Sequence, residues 1–216
     1  MIRNDLRGPA SFSMKKSRRR AQGFTLVEIA IVLVIIGLLL AGILNAQSVI
    51  RNARTKDTIK AMTDMANAAQ QFHDRYGAWP GTLQTAVTAI PNMTATCVGN
   101  ATGLIASPAE STCASESLIR SSMLRGDATQ PIRTNGATTL SVTGAALSGV
   151  AGLPANWRNV VRIQTTDCDV IVQMDRLLDD GSANTGNLRT AANVCGAGGS
   201  DQSEILLVTD AVLRLN

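Results

Sequence analysis

The pattern of hydrophobic and polar positions sets residues 24–46 apart from the rest of the chain. This run is almost uniformly apolar, and its only strongly polar members are Glu28 and Asn45. A helix needs about 20 apolar residues to cross a bilayer, so the run predicts a membrane-spanning helix. A charged side chain at a bilayer centre costs about 2.5–3.5 kcal/mol, which marks Glu28 as a candidate functional residue.

An amphipathic stretch follows. Apolar and small residues recur there at steps of three or four, at Ile59, Met62, Ala66, Ala69, Phe72 and Tyr76. This spacing is typical of one face of a helix, and no proline or glycine interrupts residues 43–76. We therefore predict one continuous helix from Phe24 to Tyr76. We expect Gly77 to end it and Trp79-Pro80-Gly81 to turn the chain.

Beyond residue 77 the chain is rich in Ala, Thr, Gly, Ser and Asn, and its apolar segments are short. Their patterns predict helices at 83–90 and 116–124 and strands at 138–142, 157–165, 169–174 and 204–209. Residues 170–178 also fit a helix. A small antiparallel sheet packed on the long helix, hence an α+β fold, is the expected architecture.

The distribution of charged residues predicts how the membrane helix is oriented in the bilayer. Five basic residues precede it, namely Lys15, Lys16, Arg18, Arg19 and Arg20. Such a flank stays in the cytoplasm and sends the following segment across the membrane. A secretory signal peptide would carry a shorter apolar core with a small-residue cleavage site after it. Here the small-residue break, Gly23, lies before the run.

The net charge of +4 does not indicate nucleic-acid binding. Residues 1–23 hold seven of the 20 Lys and Arg and one of the 16 Asp and Glu, which leaves 13 basic and 15 acidic residues. The net charge of the remainder of the chain is therefore close to −2, and the sequence contains no nucleic-acid-binding motif. We predict no nucleic-acid partner.

The junction at Gly23 resembles the N-terminus of a prepilin, the precursor of type IV pilins and of the pseudopilins of type II secretion and competence systems. Residues 15–47 read KKSRRRAQG-FTLVEIAIVLVIIGLLLAGILNAQ. The resemblance implies cleavage between Gly23 and Phe24 by a prepilin peptidase, followed by N-methylation of Phe24. It also implies that Glu28 registers an incoming subunit against those already assembled.

The same resemblance implies a structural protein rather than an enzyme. Its partners would be other copies or related subunits in a filament, an assembly ATPase and an inner-membrane platform protein. Before assembly the helix would lie in inner-membrane lipid, with the N-terminus cytoplasmic and the head periplasmic. The filament would then be an extracellular pilus or a periplasmic one. A minor pilin or pseudopilin is the alternative within the family.

The resemblance and the pattern of hydrophobic positions together predict four regions in the chain. Residues 1–23 form the leader, 24–46 the membrane or filament-core helix, 47–76 its amphipathic continuation and 77–216 the head. Met14 is the expected start, because a leader from Met14 to Gly23 has the compact length common in the family. The alternative is that residues 1–13 are a dispensable extension.

Two further stretches bear on the resemblance. Residues 72–81, FHDRYGAWPG, are similar to the helix-end signature of many pilins and pseudopilins. Gly37 and Ala41, with Gly42 beside them, form a small-residue face that allows close helix packing in membranes, although ordinary membrane-helix composition explains it equally. Many major pilins carry a proline near the end of the apolar run, whereas residues 45–47 here read Asn-Ala-Gln.

The four cysteines, Cys97, Cys113, Cys168 and Cys195, allow three disulfide pairings. We favour Cys97–Cys113 and Cys168–Cys195, because each would close a loop of small residues that offers little core. A zinc site is disfavoured, since no C-x-x-C pair occurs and His73 is the only histidine.

Residues 175–186 resemble a loop of some pilin heads, and some pseudopilins bind calcium in this part of the head. Oxygen ligands would come from Asp175, Asp179, Asp180 and Asn184. The spacing differs from an EF-hand loop, and a solvated Asp-Gly turn is the favoured interpretation. We therefore expect no cofactor, with calcium as the alternative.

A membrane-anchored periplasmic enzyme or binding protein is the remaining rival class. A Ser-His-Asp or Cys-His site would have to use His73, and no catalytic motif surrounds it. The sequence also has no phosphate-binding glycine loop and no nucleophile elbow.

Overall fold

The computed structural model describes residues 23–134, 138–190, 195 and 208–215. The chain divides into two compact units between Ala46 and Gln47. The predicted leader up to residue 22 and the predicted strand residues 204–207 lie outside the described part of the chain. The α+β fold is confirmed, since a long N-terminal helix and a five-stranded antiparallel sheet are present.

Helix α1 runs from Leu26 to Tyr76, starting two residues after the predicted position and ending at the predicted one. The part of α1 that belongs to the second unit carries its buried face. Its fully buried side chains are Met62, Met65, Ala69 and Phe72. Three residues of the predicted stripe are therefore core residues, and the other three, Ile59, Ala66 and Tyr76, are partly buried against the core.

The end of α1 depends on glycine. Gly77 has φ +70°, and its N–H donates to the carbonyl of His73 at 2.8 Å, the left-handed conformation that commonly terminates helices. Trp79 is only 7% exposed. Gly81 has φ +82°, and a Cβ there would collide with the carbonyl of Glu110. The turn at Gly81 therefore packs closely against the helix that contains Glu110.

Among the described residues, three further α-helices and five strands follow α1, besides a short 3-10 helix at Ala145–Leu147. In chain order they are α2 (Ala86–Ala89), α3 (Pro108–Arg120), β1 (Ile132–Arg133), β2 (Thr139–Gly144), β3 (Asn159–Asp167), α4 (Cys168–Leu178), β4 (Leu188–Thr190) and β5 (Val208–Arg214). The sheet order is β1-β2-β3-β5-β4, and every neighbouring pair is antiparallel. The last strand in sequence therefore lies inside the sheet.

Three helices after α1 differ from the sequence prediction. Helix α2 is shorter than the helix predicted at 83–90. The predicted strand at 169–174 is wrong, because these residues lie in α4. The alternative prediction of a helix at 170–178 is confirmed. Helix α3 begins eight residues before the predicted helix. Ser107 accepts a hydrogen bond from the N–H of Glu110, and the Glu110 side chain accepts one from the N–H of Ser107. This capping box fixes the earlier start.

Two disulfides cross-link the second unit in the pairing that the sequence analysis favoured. Cys97 and Cys113 are bonded with their Cα atoms 5.4 Å apart, and Cys168 and Cys195 with theirs 5.3 Å apart. The first ties the loop before α3 to α3 itself. The second starts at the first residue of α4.

Removing either disulfide should weaken the second unit. The sequence separations are 16 and 27 residues, for which loop-closure entropy predicts a loss of about 3 and about 3.5 kcal/mol of unfolding free energy. Chemical denaturation of the detergent-solubilised chain would measure this for the double variants Cys97→Ala/Cys113→Ala and Cys168→Ala/Cys195→Ala. An unchanged denaturation midpoint in both variants would contradict the expectation.

Candidate functional site

The first candidate site is the segment that leads into α1. Residues 23–25 are not helical, and Gly23 and Phe24 are both exposed, Phe24 to 80%. A Cβ built on Gly23 would meet no atom of the described residues within 4 Å. The bond between Gly23 and Phe24 is therefore accessible, and the fold itself does not require glycine at position 23.

Glu28 caps the helix on which it lies. The N–H and the Oγ1 of Thr25 both donate to Glu28 Oε2 at 3.3 Å, and the N–H of Glu28 donates to Thr25 Oγ1 at 3.2 Å. This is a capping box, in which two helix N-terminal donors are satisfied reciprocally. Oε1 accepts no hydrogen bond from the described residues, so the carboxylate keeps an oxygen for a further donor.

The sequence analysis missed this local role, although the Thr-x-x-Glu spacing is the signal that would have found it. The capping box also holds the carboxylate at the start of the helix, beside Phe24. A positive charge at the chain start created by cleavage would therefore lie within one helical turn of Glu28.

The apolar run has no partner within the described residues. Its large side chains from Phe24 to Ile43 are 46–91% exposed, and its most apolar 18-residue window has a mean hydropathy of 3.0 with none of it buried. By length and composition α1 is able to cross a membrane. Such a surface requires lipid or other apolar helices around it.

The small-residue face lies on this exposed surface. A Cβ added to Gly37 or to Gly42 would meet no atom within 4 Å, and Ala41 is exposed. Nothing in the described residues therefore requires small side chains at these positions. Any steric reason for them must come from another molecule.

An acidic cluster forms the second candidate site, at the end of α4. One carboxylate oxygen from each of Asp175, Asp179 and Asp180 lies within 4.8 Å of the others. Asp175 has no exposed surface, and its carboxyl group shares a hydrogen bond with the neighbouring carboxylate of Asp180. Burial raises the pKa of Asp175 to about 6, with further upward contributions from the charges of Asp180 and Asp179. The favoured interpretation as a solvated turn therefore does not describe Asp175.

The outer members of the cluster are held by the loop that follows. Asp180 is exposed and accepts from the N–H of Ser182 at 2.9 Å and from Thr185 Oγ1 at 2.6 Å, and these bonds lower its pKa. Asp179 accepts from the backbone N–H groups of Asn187 and Leu188. Both carboxylates are thus fixed next to Asp175.

His73, the only histidine, lies on α1 near the helix end. Its ring packs against Trp79 with centroids 4.6 Å apart, and its Nδ1 is 3.8 Å from a carboxylate oxygen of Asp74. No serine or cysteine among the described residues hydrogen-bonds to it. The structure thus places His73 in an aromatic contact next to the turn.

Comparison with known families bears on the first site. Residues 18–44 match the family model for the prokaryotic N-terminal methylation motif, which is the type IV pilin and pseudopilin signature. The match covers Arg18, Arg19 and Arg20 of the basic flank, the Gly23–Phe24 bond, Glu28 and most of the apolar run. Neither a curated protein nor a solved structure matches the chain.

Proposed function

We propose that this chain, which carries the N-terminal methylation motif at residues 18–44, is the precursor of a subunit of a type IV pilus or pilus-like filament. The motif is the observation that supports this most strongly. The support from the motif does not depend on the fold of the second unit. In the proposed filament, the second unit forms the outer surface.

The first step is processing. A prepilin peptidase hydrolyses the peptide bond between Gly23 and Phe24, which leaves a carboxylate on Gly23 and a free amine on Phe24. The amine then takes a methyl group from a methyl donor. The exposed, non-helical segment at residues 23–25 supports this step, because a peptidase needs an extended substrate backbone.

The second step is assembly. The apolar run leaves inner-membrane lipid and packs against the same runs of neighbouring subunits, which replaces one apolar environment by another. Glu28 pairs with the N-terminal amine of a neighbouring subunit, since two opposite charges in a low-dielectric core remove much of each other's burial penalty. A cytoplasmic ATPase supplies the energy for assembly, and a platform protein in the membrane provides the base on which the filament is built.

The third element is location. The basic flank keeps the N-terminus in the cytoplasm, so the second unit faces the periplasm before assembly. The two disulfides support this placement, because such bonds persist outside the reducing cytoplasm. In the filament, the second unit faces outward.

The experiment uses cells that carry a complete pilus assembly system and express the full chain. We expect the processed chain in the filaments that shearing or gentle extraction releases, and only in the inner membrane when the assembly ATPase is inactivated. A processed chain that stays in the inner membrane of ATPase-positive cells would contradict the proposal. An uncleaved chain that stays in the inner membrane is the result expected of an anchored periplasmic enzyme or binding protein.

A further inference from the structure

We propose that the basic residues just beyond the apolar run, Arg51, Arg54 and Lys56, form a collar that binds the phosphate headgroups of anionic phospholipids. The leaflet that the collar faces, the periplasmic one, rests on the orientation given under the proposed function. The preference for anionic lipid depends neither on processing nor on filament assembly. The partner is therefore the membrane surface itself, and the collar acts while the chain is still in the bilayer.

The collar is distinct in the distribution of charge along the chain. Residues 47–60 hold four Lys and Arg and one Asp, which gives a net charge of +3. Residues 61–216 hold nine Lys and Arg and 13 Asp and Glu, which gives a net charge of −4. Membrane orientation does not require cations here, because the rule that governs it places them before the run. The positive charge that directly follows the run therefore needs another explanation.

Two of the three collar residues have no ion-pair partner. Arg54 and Lys56 are exposed, and neither forms an ion pair with another described residue. Arg51 differs, since its Nη1 lies 3.2 Å from Oδ2 of Asp169 in α4. Arg51 thus joins the collar to α4, while Arg54 and Lys56 keep their charges available for another molecule.

Arg54 and Lys56 lie on two sides of the helix. Positions two apart on an α-helix differ by about 200° around its axis. Thr55, between them, is only 2% exposed, and its Oγ1 donates to the carbonyl of Arg51 at 3.1 Å. The two cations therefore flank a buried position. Helical side chains lean toward the N-terminal end of their helix, which in α1 is the end that carries the run.

A lipid phosphate suits these side chains. The guanidinium of Arg54 can donate two parallel hydrogen bonds to a phosphate, and the ammonium of Lys56 binds one as a point charge. The two residues follow Ala46 by eight and ten positions, so they are close in sequence to the membrane segment. Long basic side chains reach back to headgroups from such positions. Each cation near an anionic membrane surface raises affinity about fivefold.

A second copy of this chain is a weaker match than lipid. Several carboxylates of the second unit already accept hydrogen bonds from side chains of their own chain, namely Asp64 from Lys60, Asp127 from Thr129, Asp180 from Thr185 and Asp210 from Arg162. Pairing with the collar of another copy would have to share these carboxylates. A lipid phosphate has no such competing partner, and it lies at the surface of the bilayer that the run crosses.

The test measures lipid binding to the full chain in nonionic detergent by native mass spectrometry. Phosphatidylglycerol and phosphatidylcholine are titrated separately. At low salt we expect wild type to bind phosphatidylglycerol at least ~25-fold more tightly. The preference should shrink at ~0.5 M salt, because exposed charges are then screened. The titrations are repeated with the five basic residues of the predicted leader replaced by glutamine, which removes lipid bound at the leader, and the preference should persist.

Variants of the collar decide the outcome. Arg54→Gln and Lys56→Gln should each weaken phosphatidylglycerol binding about fivefold, and the double variant about 25-fold, with phosphatidylcholine binding unchanged. The charge-conserving double variant Arg54→Lys/Lys56→Arg should keep the preference. The matched control is Arg75→Gln, at an exposed arginine in the last turn of α1, and it should bind both lipids like wild type.

Equal affinity of the leader-neutralised chain for the two lipids would overturn the proposal. So would an unchanged preference in the double variant, and poor filament assembly by that variant would then assign the collar to a neighbouring subunit. Inorganic phosphate should not displace phosphatidylglycerol, and displacement would assign the collar to a free anion instead of a membrane surface. None of the lipid measurements needs cleavage or filaments, so failure of the collar and failure of the filament role remain distinguishable.

Discussion

Replacing Glu28 with glutamine is expected to abolish filament formation while leaving the precursor folded, inserted and cleaved. Glutamine at this position still accepts hydrogen bonds from Thr25 and so preserves the capping box. It removes only the negative charge. Leaving a buried positive charge without its partner costs about 3–5 kcal/mol, which corresponds to a more than ~100-fold loss of association between subunits.

The measurement compares the sheared filament fraction and the membrane fraction of cells that express wild type, Glu28→Gln or Thr25→Ser. Thr25→Ser is the matched control, because serine keeps the hydroxyl that completes the capping box with Glu28. We expect filaments from this control and none from Glu28→Gln, with both chains cleaved. Wild-type filament yield from Glu28→Gln would contradict the pairing of Glu28 with an N-terminal amine.

Replacing Gly23 with leucine is expected to block processing completely. A Cβ at this position would contact none of the described residues within 4 Å, so we expect the substitution to leave their fold unaffected. The requirement for a small residue must then lie in the peptidase that binds the segment. The uncleaved chain keeps its basic leader, stays in the inner membrane and presents no free amine for Glu28 to pair with.

Electrophoretic size and fractionation would measure this outcome. Gly37→Leu is the matched control, because it makes the same change at another glycine with open space around it. We expect Gly37→Leu to be cleaved normally, whether or not it then assembles. Cleavage of Gly23→Leu at the wild-type rate would show that processing does not occur at this bond.

The sequence predicted those parts of the structure that depend on local patterns. The apolar run and the breaker-free stretch to Tyr76 together predict α1, and Gly77 predicts its end. The disulfide pairing was also predicted, because each bond closes a loop of small residues that offers little core and therefore needs a cross-link. Each of these features is encoded within a few tens of residues.

Helix α4 shows where local propensity misleads. Val170, Ile171 and Val172 are β-branched and favour strands, whereas the residues that α4 buries recur at helical spacing, with Cys168, Ile171, Val172 and Asp175 on one side. Burial of this face, not intrinsic propensity, decides the structure. Propensity is a weak prior that tertiary packing overrides.

Features that depend on pairing between residues far apart in the chain could not be predicted from the sequence. The last strand, β5, pairs with both β3 and β4, which no local pattern specifies. Thr165 has φ +53° at an irregularity in β3, where its N–H donates to Asp210 of β5 at 3.0 Å. The burial of Asp175 has the same origin, because it depends on what packs over the end of α4.

Mass spectrometry of the mature N-terminus tests the central claim most directly. The chain would be isolated from the membrane and filament fractions of cells that carry an active prepilin peptidase. We predict that its first residue is Phe24 and that the Phe24 amine carries one added methyl group. A chain that begins at Met1 or Met14, unmethylated at residue 24, would contradict the claim that this protein is a prepilin.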